Sequence, residues 1–316
     1  MGYDVVALGE ILIDFTPCGK SEAGQRIFEQ NPGGAPANVL AALSKFGRKT
    51  AFIGKVGKDM HGSYLREVLV ESGISVEGLL EDESAFTTLA FVGLTDNGER
   101  SFSFARKPGA DTCLKEEEIE AKLIEESKIF HIGSLSLTAE PVRGATIKAL
   151  EIAKEAGCII SYDPNYRAPL WDSREDAVRE MRSVLSYINV MKLSDEETEL
   201  LTDRKEPELA AKHLLDQGVS IVAVTLGEKG ALIATKEGYA YVPAYEAAVV
   251  DTTGAGDSFW GGFLHKLLES EKSIEEITLE EAIEFTRFGN GVASLCVEKR
   301  GAIPAMPTLE EVKRRV

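Results

Sequence analysis

Cysteine and long hydrophobic runs are both scarce in this sequence. The four cysteines, Cys18, Cys113, Cys158 and Cys296, lie far apart and form no C-x-x-C pair, which argues against a disulfide framework or a zinc knot. No apolar run approaches the length of a membrane span, and no signal peptide opens the chain. We therefore expect a cytoplasmic protein in a reducing compartment, with no membrane partner.

Positive charge is also in short supply. The chain has 35 Lys and Arg residues against 52 Asp and Glu residues, which gives a formal net charge of −17. Nucleic acids and anionic membranes favour basic surfaces, so neither is expected to be the main partner. A nucleotide would have to be bound locally, by helix N-termini, a few basic side chains and a divalent metal ion.

Linkers, repeats and the common nucleotide motifs are missing as well. No Pro/Ser-rich linker or internal repeat divides the 316 residues, so we expect one domain, residues 1–316, with an inserted flap. No G-x-x-x-x-G-K-[ST] motif occurs, and the nearest match to a dinucleotide fingerprint, at residues 289–294, lacks its final glycine and a preceding strand. P-loop and NAD-binding folds are therefore disfavoured.

What the sequence does contain is a regular alternation of strand and helix patterns. Apolar, β-branched runs predict strands at 3–8, 50–53, 129–132, 158–162, 190–193 and 220–226. Helical spacing predicts helices at 35–46, 60–71, 141–156, 174–185 and 206–216. This order is typical of an α/β fold with a mostly parallel sheet between two helix layers, which binds ligands at the carboxyl ends of its strands.

Two segments interrupt this alternation. Residues 12–28 and 87–106 carry strand patterns, and the second contains a hairpin signal with a turn at Asp96-Asn97-Gly98. We expect these segments to form a small β-sheet flap over the ligand site.

The glycine-rich run at residues 251–263 leads directly into an apolar helix. Gly254, Ala255 and Gly256 leave backbone N–H groups open to a ligand at a helix N-terminus, which is a favourable place for an anion. Asp257 stands beside this anion hole, where a carboxylate can accept the proton of an attacking hydroxyl. An ordinary helix cap is the alternative reading of Asp257.

A second glycine motif lies at residues 33–47. Gly33 and Gly34 allow close backbone approach, and Asn38 falls in the first turn of the helix that follows. Asp14, which follows the first strand, suits hydrogen bonds to adjacent hydroxyls of a ligand, although a turn-forming aspartate is the alternative.

Together, the two glycine motifs resemble the signatures of the PfkB-type carbohydrate kinase family, also called the ribokinase-like family, over essentially the whole chain. The resemblance implies a ribokinase-like, doubly wound α/β fold with a β-sheet lid that closes on the sugar and often supplies a homodimer contact. It assigns Asp257 as the general base. It also implies a sugar site and its lid contacts, formed by Asp14, Gly33, Gly34, Asn38, Phe91, Phe104, Arg106 and Arg167.

The resemblance also implies ATP and magnesium as cofactors. Glu197 matches the glutamate of the family's N-x-x-E element, which organises magnesium-bound water, although Ser194 replaces the usual Asn and a helix-capping role for Glu197 is compatible. Asp251 and Thr253 resemble residues that hold a monovalent cation such as potassium in several relatives. The implied nucleotide-binding residues are Lys192, Ser194, Glu197, Thr225, Gly227, Gly230 and Asn290.

The substrate expectation rests on two further stretches. Residues 102–111 and 163–171 resemble the fructokinase branch of the family, which implies ATP-dependent phosphorylation of a primary hydroxyl, with fructose 6-phosphate as the product. A 2-keto-3-deoxygluconate kinase, whose acidic sugar would use Arg106 and Arg167, is the first alternative, followed by another sugar kinase of the family. A kinase-like sugar sensor that binds without turnover is the alternative outside the enzymes.

Overall fold

A nine-stranded β-sheet forms the centre of the computed structural model, which describes residues 2–94 and 100–316. With strands numbered in chain order, the sheet contains β1 (Tyr3–Leu8), β4 (Thr50–Gly57), β5 (Ile74–Asp82), β8 (Ser127–Ile132), β9 (Ile159–Tyr162), β10 (Val190–Ser194), β11 (Ile221–Thr225), β12 (Ala231–Thr235) and β13 (Gly238–Val242). Their spatial order is β13-β12-β11-β10-β9-β8-β1-β4-β5.

The strands of this sheet are mostly parallel, as predicted. Every neighbouring pair from β5 to β11 is parallel, whereas β12 and β13 run antiparallel to their neighbours. The chain extends the sheet outward in both directions from β1, which lies between β4 and β8. The strand order therefore reverses beside β1, and ligands of doubly wound folds bind at such a point.

Helices cover both faces of the sheet because the strand residues alternate in direction. Val5 and Ala7 of β1 pack into one hydrophobic cluster, and Val6 and Leu8 pack into the other. The first cluster includes residues of α1 (Ala35–Lys45), α2 (Met60–Glu71), α8 (Ala255–Ser270), α9 (Leu279–Cys296) and α10 (Leu309–Arg315). The second includes residues of α3 (Ala121–Glu125), α4 (Val142–Ala156), α5 (Arg174–Ser183), α6 (Thr198–Thr202) and α7 (Pro207–Asp216).

A second, smaller sheet contains β2 (Leu12–Lys20), β3 (Arg26–Gly33), β6 (Leu89–Leu94) and β7 (Arg100–Ala105). Its order is β3-β2-β6-β7, with β2 and β6 parallel and the outer pairs antiparallel. The predicted flap boundary at residue 28 falls inside β3, which continues until Gly33 pairs with Leu12. The turn predicted at Asp96-Asn97-Gly98 lies outside the described residues.

Two glycines with positive φ set the starts of the helices that matter for the site. Gly34, with φ of 121°, precedes α1, and Gly254, with φ of 75°, precedes α8. Side chains other than that of glycine rarely adopt this backbone conformation, so both turns require the residue that is present. Within residues 2–94 and 100–316, none of the helices combines the length and hydrophobicity that a bilayer span requires.

Candidate active site

A cavity of about 350 Å³ lies between the carboxyl ends of the central strands and the smaller sheet. Residues after β1, β8 and β9 line it, together with the start of α8 and strands β2 and β6. This is the position that the doubly wound topology predicts. The predicted site residues that line the cavity are Asp14, Gly34, Asn38, Phe104, Arg167, Lys192, Asp251, Thr253, Gly254, Ala255, Gly256 and Asp257.

The N-terminus of α8 lines this cavity, and the backbone N–H of Ala255 there donates to the carbonyl of Thr252 at 3.2 Å. Gly254 is held tightly, because a Cβ at this position would lie 2.7 Å from the Cβ of Ala302. A Cβ on Gly256 would lie 2.8 Å from the Nζ of Lys192, so the lysine packs directly against the glycine. Helix polarity and the Lys192 ammonium thus provide positive charge at one end of the cavity.

Asp257 lies in the first turn of α8 and is 8% exposed. Its Oδ2 accepts a hydrogen bond of 2.7 Å from the side-chain amide of Asn38, which fixes the carboxyl beside the anion hole. Burial raises the pKa of Asp257 to about 6, and the charge of Asp163 raises it as well. The nearby cations Lys192 and Arg167 lower this pKa, as does the Asn38 hydrogen bond. The carboxylate is therefore a poised base that is mostly ionised at neutral pH.

Lys192 belongs to a buried ion pair. Its Nζ lies 2.6 Å from Oδ2 of Asp163, and the two side chains are 7% and 1% exposed. Burial lowers the pKa of Lys192, but the negative charges of Asp163, Glu197 and Asp257 outweigh it, so the pKa is raised. The lysine is therefore a permanent cation at the floor of the cavity.

Asp14 lines the cavity together with Gly34, and it packs against Gly33. A Cβ on Gly33 would come within 2.3 Å of the Asp14 carboxyl, and one on Gly34 within 2.4 Å of the Glu10 carbonyl oxygen. Glycine is therefore needed for this close packing. Burial raises the pKa of Asp14 to about 6, the charge of Arg167 lowers it, and the charges of Asp251 and Asp257 raise it.

Phe91 is placed away from the cavity, contrary to the sequence-based prediction. Successive residues of a strand face opposite sides, and Val92 lines the cavity, so Phe91 points outward. Its ring stacks on Phe15 at a centroid distance of 5.1 Å, and the side chain is 39% exposed. Phe91 is therefore not among the described residues that line the cavity, whereas Phe104 is.

Arg106 also departs from its predicted place. Its guanidinium lies 2.7 Å from Asp111 in a buried ion pair, and it donates further hydrogen bonds to Thr138 and to the carbonyl of Leu135. Arg106 is not among the described residues that line the cavity. This arginine fastens the end of the smaller sheet to the main body instead of facing the substrate.

Glu197 is bound by the backbone. One carboxylate oxygen accepts the N–H of Tyr166 at 2.6 Å and the other accepts the N–H of Ser194 at 2.8 Å. The capping interaction considered above is therefore present. Each carboxylate oxygen can accept a second hydrogen bond, so Glu197 fits a role in holding metal-bound water.

Four other residues predicted to bind the nucleotide are not among the described residues that line the cavity: Thr225, Gly227, Gly230 and Asn290. Thr225 ends β11, and Gly227 and Gly230, with φ of 59° and 99°, shape the turn that follows. The Asn290 amide donates to the carbonyls of Val242 and Pro243, so its N–H groups hold the segment after β13. This use of its donors leaves the carbonyl end of Asn290 for any contact with a base.

Asp251 and Thr253 shape the turn before α8. Oδ1 of Asp251 accepts the backbone N–H of Thr253 at 3.0 Å and its hydroxyl at 2.7 Å. Oδ2 accepts the N–H of Gly301 at 3.0 Å. These bonds connect the approach to α8 with the loop that carries Ala302. Within the described part of the chain, no group of three or more His, Cys, Asp or Glu side chains is arranged to hold a metal ion.

Several lining residues were missed by sequence reasoning. Glu10 and Asn165 follow strand ends, the same signal that pointed to Asp14, and Asn165 adopts a positive φ of 47°. Thr16 and Asn31 lie on β2 and β3 and could be found only from the pairing of these strands. The assembled cavity can bind a polyol, accept a proton at Asp257 and stabilise an anion at the start of α8.

Comparison with known proteins agrees with this chemistry. The model of the pfkB family carbohydrate kinases matches residues 3–309. The chain belongs to this family. Family members are phosphotransferases that act on an alcohol group, and the present chain is one of them.

Several of the most similar relatives are fructokinases. A probable fructokinase-4 of Arabidopsis thaliana is 44% identical over 314 residues, which cover 98% of this chain and 95% of the relative. The structure of a Xylella fastidiosa fructokinase with bound ATP matches with a TM-score of 0.91 and 32% identity, covering 99% of this chain and 98% of that one. A Vibrio cholerae fructokinase in a fructose-, ADP- and calcium-bound form matches with a TM-score of 0.89 and 31% identity, covering 99% of both chains.

Proposed function

We propose that this protein is an ATP-dependent fructokinase, which transfers the γ-phosphoryl group of ATP to a primary hydroxyl of fructose and forms fructose 6-phosphate. The observation that carries this proposal is the position of Asp257. Its buried carboxyl is fixed by Asn38 beside the N-terminus of α8, at the edge of a cavity of sugar size. The similarity to fructokinases over nearly the whole chain supports the choice of substrate.

In the proposed reaction, Asp257 accepts the proton of the primary hydroxyl as that oxygen attacks the γ-phosphorus. The new O–P bond forms while the bond between the γ-phosphorus and the bridging oxygen breaks, and ADP leaves. The amides of Gly254 and Gly256, and that of Ala255 once it exchanges its bond to the Thr252 carbonyl for one to phosphate, stabilise the negative charge that spreads over the phosphoryl oxygens. Lys192, which packs against Gly256, adds a positive charge at the same place.

The sugar is proposed to lie between Asp14, Asn38 and the backbone at Gly33 and Gly34, with Phe104 and Arg167 completing its surroundings. Asp14 suits two adjacent hydroxyls because a carboxylate has two acceptor oxygens. Nucleotide binding is proposed for Lys192, Ser194, Glu197, Thr225, Gly227, Gly230 and Asn290.

Cations are part of the proposal because the cavity is rich in carboxylates. Glu10, Asp14, Asp251 and Asp257 line it together with the cations Arg167 and Lys192. A polyanionic nucleotide would be repelled there without a divalent ion, so we propose magnesium, with Glu197 holding its bound water. A monovalent cation, potassium, is proposed beside Asp251 and Thr253. Magnesium would lower the charge on the phosphates as the phosphoryl group is transferred.

We further propose a homodimer formed through the smaller sheet, which would act as the lid of the site. Phe15, Phe28 and Phe91 form an aromatic cluster on the sheet face that points away from the cavity. Phe28 and Phe91 are 37% and 39% exposed, which is an apolar surface that a second copy could cover. The cytoplasm is the proposed location, since ATP is the donor and the four cysteines are free thiols.

No observation favours 2-keto-3-deoxygluconate over fructose. Arg106 was one of the two arginines assigned to the acidic sugar, and Asp111 binds it. The test is ADP release measured with fructose, 2-keto-3-deoxygluconate, ribose and glucose, with Asp257→Asn as the control for contaminating kinases. Fructose should exceed every other sugar by at least ~10-fold in kcat/KM. A higher value for the acidic sugar would reject the substrate, and sugar binding without ADP release would favour a sensor.

A further inference from the structure

Glu10 is a buried carboxyl in the cavity that the proposed reaction does not yet use. It follows β1, lines the cavity and is 3% exposed. Its Oε1 accepts the backbone N–H of Ala35 at 2.9 Å, at the start of α1. Its Oε2 is buried and has no hydrogen-bond partner among residues 2–94 and 100–316.

A buried carboxylate oxygen without a donor is unfavourable, and folded proteins rarely keep one without a reason. The guanidinium of Arg106, whose charge acts on Glu10, does not bond to Oε2, because it is bonded to Asp111, Thr138 and Leu135. Burial raises the pKa of Glu10 to about 7, although the charge of Arg106 lowers it. In the ionised form of Glu10, Oε2 therefore lacks a donor within these contacts, and a ligand that supplies one would stabilise that form.

The position of Glu10 indicates which ligand supplies it. Glu10 packs against the turn that precedes α1: a Cβ on Gly34 would lie 2.4 Å from its carbonyl oxygen, and Ala35 donates to its Oε1, whereas the anion hole belongs to α8. Oε2 therefore lies beside the Gly33-Gly34 turn, which is proposed to hold the sugar. A phosphate oxygen would be repelled by this carboxyl, but a sugar hydroxyl carries the donor that it lacks.

We propose that Glu10 contacts the sugar directly: Oε2 accepts a hydrogen bond from one sugar hydroxyl while Oε1 holds the start of α1. This inference rests on the proposed fructokinase function. Because the Ala35 bond already fixes the carboxyl, Oε2 cannot turn to follow a differently placed hydroxyl. Glu10 is then a specificity-determining residue that reads one hydroxyl of the sugar.

The experiment measures binding of fructose and its single-deoxy analogues to the wild type and to Glu10→Gln, by calorimetry without ATP. The variant keeps an acceptor for Ala35 but replaces Oε2 by an N–H donor. We expect fructose to bind at least ~10-fold more weakly to the variant. One analogue, which lacks the hydroxyl that Glu10 reads, should bind both proteins equally within ~2-fold. The same loss for every analogue would overturn the proposal, because Glu10 would then act only through α1.

Asp59→Asn is the matched control. Asp59 accepts the backbone N–H groups of His61 and Gly62, both at 2.9 Å, at the start of α2 and outside the described cavity lining. Its variant should lower the melting temperature and leave the ratios between the analogues unchanged. A hydroxyl-specific effect in this control would overturn the assignment to Glu10.

A second measurement covers the case in which Glu10→Gln does not fold. In a crystal structure of the wild type with fructose, one hydroxyl oxygen should lie within ~3.2 Å of Oε2. A separation above ~4 Å from every sugar oxygen would overturn the contact. Wild-type protein that phosphorylates fructose without this contact rejects the role of Glu10 alone. Wild-type protein without fructose turnover rejects the proposed substrate and the contact with it.

Discussion

Asp257 derives its proposed role from its neighbours as much as from its own carboxyl. Asn38 fixes its direction, burial and Asp163 raise its pKa, and Lys192 lowers it. A carboxylate in water would be a weak base for an alcohol, so the raised pKa matters for proton transfer. The sequence could locate Asp257 through its glycine motif, but Asp163 lies 94 positions earlier in the chain and only the fold brings the two together.

Asp257→Asn is expected to reduce kcat by at least ~100-fold, because the amide cannot accept the hydroxyl proton. Fructose binding should change far less, since Asp14 and Gly34 stay in place. The measurement is steady-state ADP release combined with calorimetric sugar binding. Turnover within ~3-fold of the wild type, in a variant with a normal melting curve, would remove Asp257 from the mechanism.

The pH profile tests the same residue independently. The pKa of Asp257 is raised to about 6, and the base must be ionised to act, so kcat/KM should fall as the pH drops through 6. The pKa of Asp14, which lines the same cavity, is also raised to about 6, so its protonation can steepen the fall in kcat/KM. Between pH 7 and 8, where Asp257 is mostly ionised, its titration should no longer change kcat/KM. A profile that stays flat down to pH 5 would contradict the raised pKa.

Lys192→Met tests whether a change in charge beside Asp257 moves the acid limb of the pH profile in the expected direction. The positive charge of Lys192 lowers the pKa of Asp257, and its removal also leaves Asp163 without its cation. Loss of the Lys192 charge favours the protonated form of Asp257. The acid limb should therefore move to higher pH, apart from any loss in rate. A shift to lower pH would show that another group controls the limb.

Two residues assigned to the sugar site by resemblance, Phe91 and Arg106, are not among the described residues that line the cavity, and the reasons are physical. Strand alternation puts Phe91 on the outer face of the smaller sheet, and the register of β6 could not be read without the structure. Arg106 has a carboxylate five residues later, Asp111, which binds it in the folded chain. A sequence shows that an arginine is charged, but it does not show which carboxylate pairs with that arginine in the folded chain.

At the scale of elements, the strongly patterned segments were predictable. The structure gives β1 (Tyr3–Leu8) and α2 (Met60–Glu71) with the predicted bounds. Strands β5, β12 and β13 were not predicted. Every second residue of β13 is exposed at the edge of the sheet, which leaves a weak hydrophobic pattern. Helix starts at Gly34 and Gly254 were predictable because glycine marks them.

The smaller sheet has one face on the cavity and one aromatic face directed away from it. If the second face forms the proposed dimer, Phe91→Ser should convert the protein to a monomer, because it removes an exposed ring stacked on Phe15. Sedimentation analysis at micromolar concentration measures the change. Tyr239→Ser is the control, since Tyr239 is 55% exposed on β13, far along the larger sheet. A wild-type monomer, or a dimer that survives Phe91→Ser, would contradict the proposed interface.

For the whole molecule, we expect the two sheets to belong to one domain, because the chain crosses between them more than once. The chain passes from β1 into β2 and β3 and then returns to α1 and β4. At a second crossing, Asp59 of the main body accepts the backbone N–H of Thr87 at 2.8 Å, and Thr88 donates to Asp111 at 2.5 Å. These bonds fix the entrance to β6. They support the expectation of one domain over residues 1–316.

A single domain should unfold in a single thermal transition, and bound sugar should raise the Tm of that whole transition. At a fructose concentration of 100 times Kd, linkage adds about 2.7 kcal/mol to the free energy of unfolding, which corresponds to a rise of about 4 °C in Tm for a chain of this size. Scanning calorimetry with and without fructose measures both features. Asp14→Asn should keep the single transition and lose most of the shift, because Asp14 is a proposed sugar ligand. Two transitions, of which fructose moves only one, would show that the lid or another part of the chain folds as a separate unit.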